Sequence, residues 1–379
     1  MVVDSAYSLH TIRSRGLERF VTGWDLEGFF ERVWAVHPCV GASPDDPPGE
    51  RFGSIRETAL TSRHTMVEGR YGRFRVLERL PLLNFLIAQL ELLLALQRLI
   101  RREGIGLVRA QDPYYLALIA LPLAWANRLP AAIIIQGNYD LMYRNNRLLA
   151  YPRLLRRRRV EKLIDHLTLR RADLVAGVNE NNRGFAVANG APPGKTAVFR
   201  YGITVDLIHY RPPEERINRL EELGLDGKRT LLYVGRYEPV KLPQDVVHCL
   251  AEVARQRSDV VALLVGDGAL RPQLQALADE LGVGDKILLL GNRDQHWLSD
   301  AYSFVDVVLA PLAGRALVEA ALGGRPIVAY DVEWHGELIR DGETGRLVPY
   351  RDWRAMARVA LELLDDPERA TQLGRQGRE

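Results

Sequence analysis

The sequence VDVVLAPLAGRALVEAALGGRPIVAY, residues 305–330, decides the fold of this chain. It predicts two buried strands, Val305–Leu309 and Pro326–Tyr330, joined by a tight loop and a short helix. Gly314 lets backbone N–H groups approach an anion, and the helix start that follows adds unpaired donors and a partial positive charge. Glu319, farther along the helix, offers a carboxylate to two hydroxyl groups. These parts fit a nucleoside diphosphate, and a purely structural strand–helix–strand unit is the alternative.

The bulk composition is that of an ordinary globular protein with two domains. A chain of 379 residues is longer than one ordinary core, and its 47% hydrophobic and 26% charged residues are typical of soluble proteins. The net charge of +3 is too small to argue for nucleic acid. Cys39 and Cys249 are the only cysteines, which excludes a disulfide framework and predicts a cytoplasmic protein. The N-terminal sequence has no long apolar core, so no secretory signal is predicted.

Two segments raise the question of a membrane surface. Leu80–Ile100 is strongly apolar, but a spanning helix has few charges and Glu91 lies near its centre. We predict a helix packed inside a domain, and the alternative is a helix with one face at a membrane. The run Arg153–Arg159 is interpreted as a solvated helix face, or as a surface for anionic lipid or a phosphate-bearing acceptor.

Both halves of the chain alternate short apolar strands with helices. This spacing predicts parallel sheets with helices on both faces. The expected fold class is α/β, with two Rossmann-like doubly wound domains facing across a ligand cleft. Residues Tyr201–Arg216 lose this periodicity and contain two prolines, so we predict domains over 1–205 and 206–379.

The less regular predictions concern loops and helix ends. In the first half we expect a loop over His37–Arg51, strands over Ser54–Leu60 and Phe74–Leu77, and one long basic helix from about Asn145 to Arg171. In the second half each strand is a nearly continuous apolar run, as expected of strands buried on both faces. A short helix is predicted over Glu337–Asp341.

Two cations follow the predicted strand Thr230–Gly235. Arg236 and Lys241 are expected where the carboxyl ends of parallel strands meet a helix start. Arginine offers a bidentate fork and lysine a point charge, a pair that suits a diphosphate leaving group. The alternative is two solvated surface cations.

The motifs together resemble the family 4 type of glycosyltransferases, which have the GT-B fold of two facing Rossmann-like domains. The resemblance extends in register from about Leu231 to Pro349, and includes LLYVGRYEPVK, VALLVGDGAL, ILLLGNRD, residues 305–330 and HGELIRDGETGRLVP. It is looser in the first half, where VRAQDPYY and AAIIIQGNYD look like strand ends of the acceptor-binding domain.

The resemblance implies a donor site on the second domain. Arg236 and Lys241 match the family's diphosphate-binding pair, and Glu319 matches the glutamate that holds the ribose. The other donor-binding positions implied in strand-end loops and at the helix start are Gly235, Asp267, Asn292, Arg293, Gly314, Arg315, Ala316 and Leu317. A purely structural turn is an equal alternative for Asp267.

On the first domain the same resemblance implies residues near the reaction. Asp112 and Gln136 are assigned to catalysis together with the two cations of the second domain. Asn138, Tyr139 and Asp140 are expected on the acceptor side.

Two positions depart from the family pattern. The family usually carries a second glutamate eight residues before the ribose glutamate, close to the donor sugar, and Pro311 stands there in this chain. The family often has a histidine where this chain has Gln136, which forms hydrogen bonds but cannot become a cation. These departures leave open a different donor or a loss of activity.

The predicted function is transfer of a sugar from a nucleoside-diphosphate sugar to an acceptor hydroxyl, retaining and without a metal or other cofactor. No histidine spacing such as HExxH and no DxD triplet occurs. The expected partners are a nucleotide sugar and a glycan, lipid-linked or small-molecule acceptor, but no nucleic acid; contact with the inner face of a membrane is left open. The alternatives are a non-catalytic nucleotide-sugar-binding homologue and a nucleotide-sugar epimerase of the same architecture.

Overall fold

The chain forms two compact units in a computed structural model, Met1–Tyr201 and Gly202–Glu379. The structure describes residues 1–15, 17–26, 28–43, 46–147, 149, 157–200 and 222–379. The predicted linker Tyr201–Arg216 and the first part of the basic run Arg153–Arg159 lie outside the described residues.

The first unit is a mostly parallel sheet with helices on its faces. Its strands are β1 (Val2–Val3), β2 (Val33–Val40), β3 (Arg56–Ala59), β4 (His64–Arg70), β5 (Val108–Ala110), β6 (Ala131–Ile135), β7 (Leu174–Gly177) and β8 (Thr196–Val198). Among the described residues these strands pair in the order β3-β4-β2-β1-β5-β6-β7-β8, and only the β3–β4 pair is antiparallel. The helices are α1 (Leu9–Arg15), α2 (Glu18–Thr22), α3 (Pro81–Glu103), α4 (Tyr115–Asn127), α5 (Tyr139–Asn146), α6 (Arg158–Arg171) and α7 (Glu180–Ala188).

Two cores lie on opposite faces of this sheet. Val36 of β2 packs in a core with Leu92 of α3, whereas the neighbouring Ala35 packs in a separate core with Ile12 of α1. Successive strand residues point to opposite faces, so helices cover both sides, as predicted. The order of strands reverses beside β1, which places a switch point between β1 and β5.

Strand β2 is longer than the sequence pattern predicted. The loop expected over His37–Arg51 begins only after Val40, so the prediction was wrong for its first four residues. Proline lacks the N–H that a ladder needs, and the β2–β4 pairing is shifted between His37 and Val40, around Pro38. A proline in the sequence therefore marked a bulge in a buried strand and not its end.

Two further predictions in this unit were wrong. Phe74–Leu77 is not a strand, because Arg75–Leu77 forms a single turn of 3₁₀ helix. The helix expected from about Asn145 to Arg171 is also not continuous. α5 ends at Asn146, and Arg147 follows with a left-handed φ of 55°, which terminates an α-helix.

Helix α3 carries apolar side chains on its buried face and on its exposed face. Asn84, Leu92 and Leu96 are buried against the sheet side, whereas Leu86 and Leu90 on the outer face are 54% and 60% exposed. Of the described helices it alone has the length and hydropathy to cross a membrane, and 44% of its most apolar window is buried. A core helix passes the same test, so this is weak evidence for a span. The prediction of an interior helix therefore describes one face only.

The second unit is an all-parallel sheet. Its strands are β9 (Arg229–Val234), β10 (Val260–Val265), β11 (Ile287–Gly291), β12 (Val307–Ala310), β13 (Ile327–Tyr330) and β14 (Arg346–Val348). Among the described residues their order is β11-β10-β9-β12-β13-β14. The helices are α8 (Pro243–Ala254), α9 (Arg271–Glu280), α10 (Gln295–Phe304), α11 (Arg315–Leu322), α12 (His335–Leu338), α13 (Trp353–Asp365) and α14 (Pro367–Arg378).

The strands of this unit are buried on both faces. Every residue of β10, VVALLV, is buried, and its alternate side chains join two different cores. Burial on both faces explains the continuous apolar runs in the sequence. The strand order reverses between β9 and β12, which are neighbours although two strands, β10 and β11, and their helices separate them in the sequence. Both units therefore have the predicted α/β, Rossmann-like architecture.

Candidate nucleotide-binding site

The strand-end loops that the sequence singled out share one edge of the second sheet. All strands are parallel, so the loops after β9, β10, β11, β12 and β13 all leave from the carboxyl edge. β9 and β12 pair directly, which makes the loop with Arg236 a neighbour of the loop that contains Gly314. Open α/β sheets bind ligands where the strand order reverses, and both loops start at that point.

Lys241 is a mostly buried cation with no ion-pair partner among the described residues. It ends a 3₁₀ turn, Pro239–Lys241, just before α8. Among the described residues no carboxylate forms an ion pair with its ammonium group. Burial lowers the pKa of Lys241, Glu333 opposes this shift, and the nearby Arg236 guanidinium adds to it. Two cations in partial mutual repulsion form an electrostatic site for an anion.

Arg236 is more exposed than Lys241 and has an ion-pair partner. Its side chain is 65% exposed, and the guanidinium lies 2.8 Å from the carboxylate of Glu238. The Tyr233 hydroxyl donates a hydrogen bond of 3.2 Å to the backbone carbonyl of Arg236, which ties the loop to β9. An exposed ion pair is worth little, so the guanidinium can turn toward a phosphate at small cost.

The turn after β10 supports the loop that holds the two cations. Gly266 has a φ of 139°, and a Cβ atom on it would lie 1.9 Å from the Gly235 carbonyl oxygen. Gly268 has a φ of 155°, and a Cβ atom on it would lie 2.6 Å from the Tyr237 carbonyl oxygen. The Tyr237 N–H donates to the Asp267 carbonyl at 2.9 Å, and the Asp267 carboxylate accepts from the Gly268 N–H at 2.8 Å. Only glycine allows this approach. The structure thus gives the turn a supporting role in addition to the donor contact predicted for Asp267.

Helix α11 starts beside these cations with an open N-terminus. Gly314 precedes it and provides no side-chain cap, and the Leu317 N–H bonds the Gly314 carbonyl at 3.0 Å. The N–H groups of the first helical residues, Arg315 and Ala316, have no partner within the helix. Backbone donors and the helix dipole here attract an anion.

Glu319 lies inside the same helix and is 6% exposed. Burial raises the pKa of its carboxyl group, and the Arg315 guanidinium at 3.0 Å opposes the shift. A carboxylate accepts about four hydrogen bonds, so one ion pair leaves capacity for the two hydroxyl groups of a ribose. Arg315 is half exposed and can move away from this pair.

The residues expected around the base lie at an outer strand. Asn292 and Arg293 follow β11 and are exposed, and the Arg293 guanidinium lies 5.4 Å from the centre of the Trp297 ring. Asp294, next in the chain, caps α10 by accepting from the Trp297 N–H at 2.8 Å. One strand separates β11 from β9 and two separate it from β12, so Asn292 and Arg293 follow a strand that is not at the switch point.

The loop after β13 contains residues that the sequence did not single out. The helix predicted over Glu337–Asp341 instead spans His335–Leu338. His335 is fully buried, with Nε2 3.0 Å from the Ala313 carbonyl oxygen and Nδ1 2.9 Å from that of Tyr330. This ring fastens the loop to the segment between β12 and α11. The carboxylate of Glu333, two residues earlier, is attracted by the positive charge of Lys241.

In the first unit, Asp112 and Gln136 occupy different environments. Asp112 is buried and caps α4, with one carboxylate oxygen accepting from the N–H groups of Tyr114 at 2.7 Å and Leu116 at 3.2 Å. Burial raises the pKa of Asp112 to about 7, and these hydrogen bonds oppose the shift. Gln136 directly follows β6 and is exposed. They follow adjacent parallel strands, so both lie at the carboxyl edge of the first sheet.

The acceptor-side residues belong to a hydrogen-bonded network. The Asn138 side chain caps α5 by accepting from the Leu141 N–H at 3.1 Å. Burial would raise the pKa of Asp140, but hydrogen bonds from Asn189, Lys162 and Arg158 hold it near 2. The Tyr139 ring packs edge-on against Tyr114 at 4.9 Å and against Phe185 at 5.6 Å. These contacts give all three residues structural partners.

A row of buried polar side chains crosses the carboxyl edge of the first sheet. Glu68, His37, Asp4 and Gln111 sit at matching positions on or just after β4, β2, β1 and β5. Each is 8% exposed or less and has one polar atom without a hydrogen-bond partner among the described residues. Sequence reasoning missed the row because its members are far apart in the chain and only the sheet order aligns them.

No metal centre is evident in the described part of the chain. No group of three or more His, Cys, Asp or Glu side chains there could hold a metal ion.

Two family models match the two halves of this chain. Residues 27–202 match the model described as glycosyl transferase 4-like domain, and residues 215–379 match glycosyl transferases group 1. The two matches divide the chain almost as the two compact units do.

Curated relatives match part of the chain. The alpha-D-kanosaminyltransferase of Streptomyces kanamyceticus is 34% identical over 152 residues, which is 39% of each chain. The D-inositol 3-phosphate glycosyltransferase 2 of Catenulispora acidiphila is 32% identical over 215 residues, 53% of this chain and 50% of the relative. The chain thus spans half or less of the length of these relatives.

Solved structures share the fold over the whole chain. Anabaena HepE in complex with UDP and glucose has a TM-score of 0.73 and 17% identity, and covers 100% of this chain and 92% of its own. Sucrose-phosphate synthase from Thermosynechococcus elongatus has a TM-score of 0.71 and 20% identity with the same coverage. At these identities the likeness concerns the fold alone. The two family models, which match residues 27–202 and 215–379, show that this chain belongs to the family 4 type of glycosyltransferases, and the solved structures show the GT-B fold class.

Proposed function

We propose that this protein transfers a sugar from a nucleoside-diphosphate sugar to an acceptor hydroxyl. The observation that carries the proposal is the mostly buried ammonium of Lys241, which has no ion-pair partner among the described residues and lies beside Arg236 at the switch point of the second sheet. A buried cation is costly unless an anion joins it. The open start of α11 and the carboxylate of Glu319 complete a site for a diphosphate and a ribose.

The same groups account for the chemistry. Departure of the nucleoside diphosphate builds negative charge on the β-phosphate, and Lys241, Arg236 and the N–H groups of α11 are fixed cationic or dipolar groups that stabilise it. This arrangement needs neither a metal ion nor another cofactor. Retention of the anomeric configuration is part of the proposal by analogy with the family.

The donor is proposed to be a UDP-sugar or a GDP-sugar. HepE, a structural neighbour, was solved with UDP and glucose, which supports UDP as the first nucleotide to test. Pro311 removes the carboxylate expected near the sugar, so the sugar need not be that of the relatives.

The acceptor is proposed to bind the first unit. The row of Glu68, His37, Asp4 and Gln111 has unpaired polar atoms that suit a hydroxyl-rich molecule. Glycan, lipid-linked and small polyol acceptors share this chemistry. Gln136 at the same edge can accept or donate a hydrogen bond to the attacking hydroxyl.

We further propose that the outer face of α3 rests on an anionic membrane at the cytoplasmic side. Leu82, Leu86, Leu90 and Leu94 lie along this face and are 49% to 72% exposed. Exposed arginines flank the stripe, and their side chains form no hydrogen bond or ion pair with described residues: Arg75, Arg79, Arg98 and Arg101. An apolar face bordered by cations fits the boundary between acyl chains and anionic headgroups.

The test of the proposed function is calorimetric titration with UDP and GDP, followed by assays of donor hydrolysis and transfer. Glu319→Ala and Arg236→Ala should each weaken binding of the nucleoside diphosphate at least about tenfold, or about 1.4 kcal/mol. Arg255→Ala is the matched control, because Arg255 forms an equivalent exposed ion pair with Glu252 at 2.9 Å. Unchanged affinity in both site variants contradicts the assignment.

The non-catalytic alternative has one observation in its favour, the absence of a histidine at Gln136. A protein that binds UDP or GDP, but neither hydrolyses nor transfers sugar from a panel of nucleotide sugars, would favour that alternative. An epimerase would instead change the sugar while it stays attached to the nucleotide.

A further inference from the structure

Glu333 is carried by the loop that follows β13. β13 pairs directly with β12, so this loop and the segment from Pro311 to Gly314 leave from adjacent strands at the same edge. His335 joins the two segments through its contacts with the carbonyl oxygens of Ala313 and Tyr330. Because that ring is fully buried, the loop has a fixed position relative to the start of α11.

The backbone of Glu333 is in a conformation that favours glycine. Its φ is 52°, in the left-handed region. Residues other than glycine, asparagine and aspartate rarely adopt this region, because their Cβ atom crowds the backbone there. Such strain persists where the surrounding structure holds the residue, and it concentrates at functional sites.

The carboxylate of Glu333 is mostly buried and lacks hydrogen bonds. No described residue forms a hydrogen bond or ion pair with it, although Lys241 is close enough to act on it electrostatically. Burial raises its pKa, and the charge of Lys241 opposes the shift. The carboxylate oxygens therefore have unused capacity to accept hydrogen bonds.

The charge of this group restricts what it can contact. A carboxylate repels phosphate, so it does not bind the diphosphate itself. Two parts of a nucleotide sugar lie next to the diphosphate: the ribose, which is assigned to Glu319, and the sugar, whose hydroxyl or amino groups donate hydrogen bonds. Pro311, on the adjacent strand end, offers no carboxylate for that purpose.

We propose that Glu333 accepts hydrogen bonds from the sugar of the donor and so determines which sugar this enzyme takes. The inference rests on the proposed function, because it assumes that a nucleotide sugar occupies the site. It assigns Glu333 to the hydroxyl or amino groups of the sugar, and Lys241 with Arg236 to the diphosphate.

The experiment compares a free nucleotide with its sugar derivatives. Calorimetric titrations of wild type and Glu333→Gln use UDP, UDP-glucose, UDP-N-acetylglucosamine, GDP and GDP-mannose. We expect Glu333→Gln to weaken binding of the preferred nucleotide sugar about tenfold or more, since hydrogen bonds to charged groups are the strong ones, and to leave the free nucleotide within about threefold. Glu333→Gly, which suits the backbone, should give the same pattern without loss of thermal stability.

The controls separate this inference from simpler ones. Glu343→Gln removes an exposed carboxylate that pairs with Arg340, and should change neither affinity. If Glu333→Gln weakens free nucleotide and nucleotide sugar equally, Glu333 acts only through Lys241 and the inference is wrong. Equal affinities in wild type and variant for all ligands also refute it. If neither UDP nor GDP binds the wild-type protein, the proposed function fails first, and this inference fails with it.

Discussion

Replacing Lys241 with methionine separates the binding and structural roles of this residue. Methionine keeps most of the side-chain volume and removes the charge. In the free protein the lysine ammonium is mostly buried, and its pKa is lowered by that burial and by Arg236. The charge is therefore costly to bury in the free protein, where the nearby carboxylates of Glu333 and Glu238 offset part of that cost, and a bound anion would offset more of it.

The size of the effect follows from this burial. A hydrogen bond to a charged group contributes about 1.5–3 kcal/mol, and the upper part of that range applies where solvent is excluded. We expect Lys241→Met to weaken UDP or GDP binding by about 2–3 kcal/mol, or roughly 30- to 150-fold. Arg236→Ala, at a side chain that is 65% exposed, should cost less than Lys241→Met.

Calorimetry gives the affinities, and thermal unfolding of the unliganded protein gives the stability. We expect the melting temperature of Lys241→Met to stay close to that of wild type, because the variant no longer buries an ammonium group but leaves the Glu333 carboxylate without the charge that opposes its burial. Lys241→Arg restores the charge and should recover part of the affinity. A variant that melts several degrees lower yet binds UDP and GDP like wild type would show that Lys241 is structural, and would refute the reasoning.

Two further predictions concern the first unit. The pKa of Asp112 is raised from 3.8 to about 7 by burial, so its contribution to stability is fully present below about pH 4 and lost as pH rises through 7. A shift of about three pKa units corresponds to a loss of about 4 kcal/mol in the free energy of unfolding. Asp112→Asn can still cap α4 but does not titrate, so its free energy of unfolding, measured in denaturant between pH 4 and 8, should not show this loss. A variant with the same pH dependence as wild type contradicts this prediction. On α3, wild type should float with vesicles containing phosphatidylglycerol but not with pure phosphatidylcholine, and the double variant Leu90→Gln and Leu94→Gln should not float. Absence of flotation by wild type contradicts the membrane proposal. If light scattering instead shows a dimer of wild type that the double variant does not form, the exposed face of α3 binds a second copy of the chain.

Periodicity in the sequence was sufficient for most of the second unit. Apolar runs buried on both faces are unambiguous, and β10 has the predicted bounds Val260–Val265. Residues 305–330 form the predicted strand, loop, helix and strand as β12, α11 and β13, although each of these elements begins one or two residues later than predicted. Predictions failed where local patterns mislead, as at Pro38, where a proline sits in a strand because the ladder is shifted around it.

The candidate donor-binding residues Arg236, Lys241, Gly314 and Glu319 could be predicted from the sequence, because each stands in a local motif that can be read without a structure. Tertiary structure alone decided how exposed each group is and what faces it. It shows Lys241 mostly buried and Arg236 largely exposed, although both follow the same strand. It also places Glu333 near Lys241, because β12 pairs with β13 and His335 contacts the segments that follow both strands. Burial and proximity between distant segments depend on the order of strands in a sheet, and a single sequence does not encode that order in any local pattern.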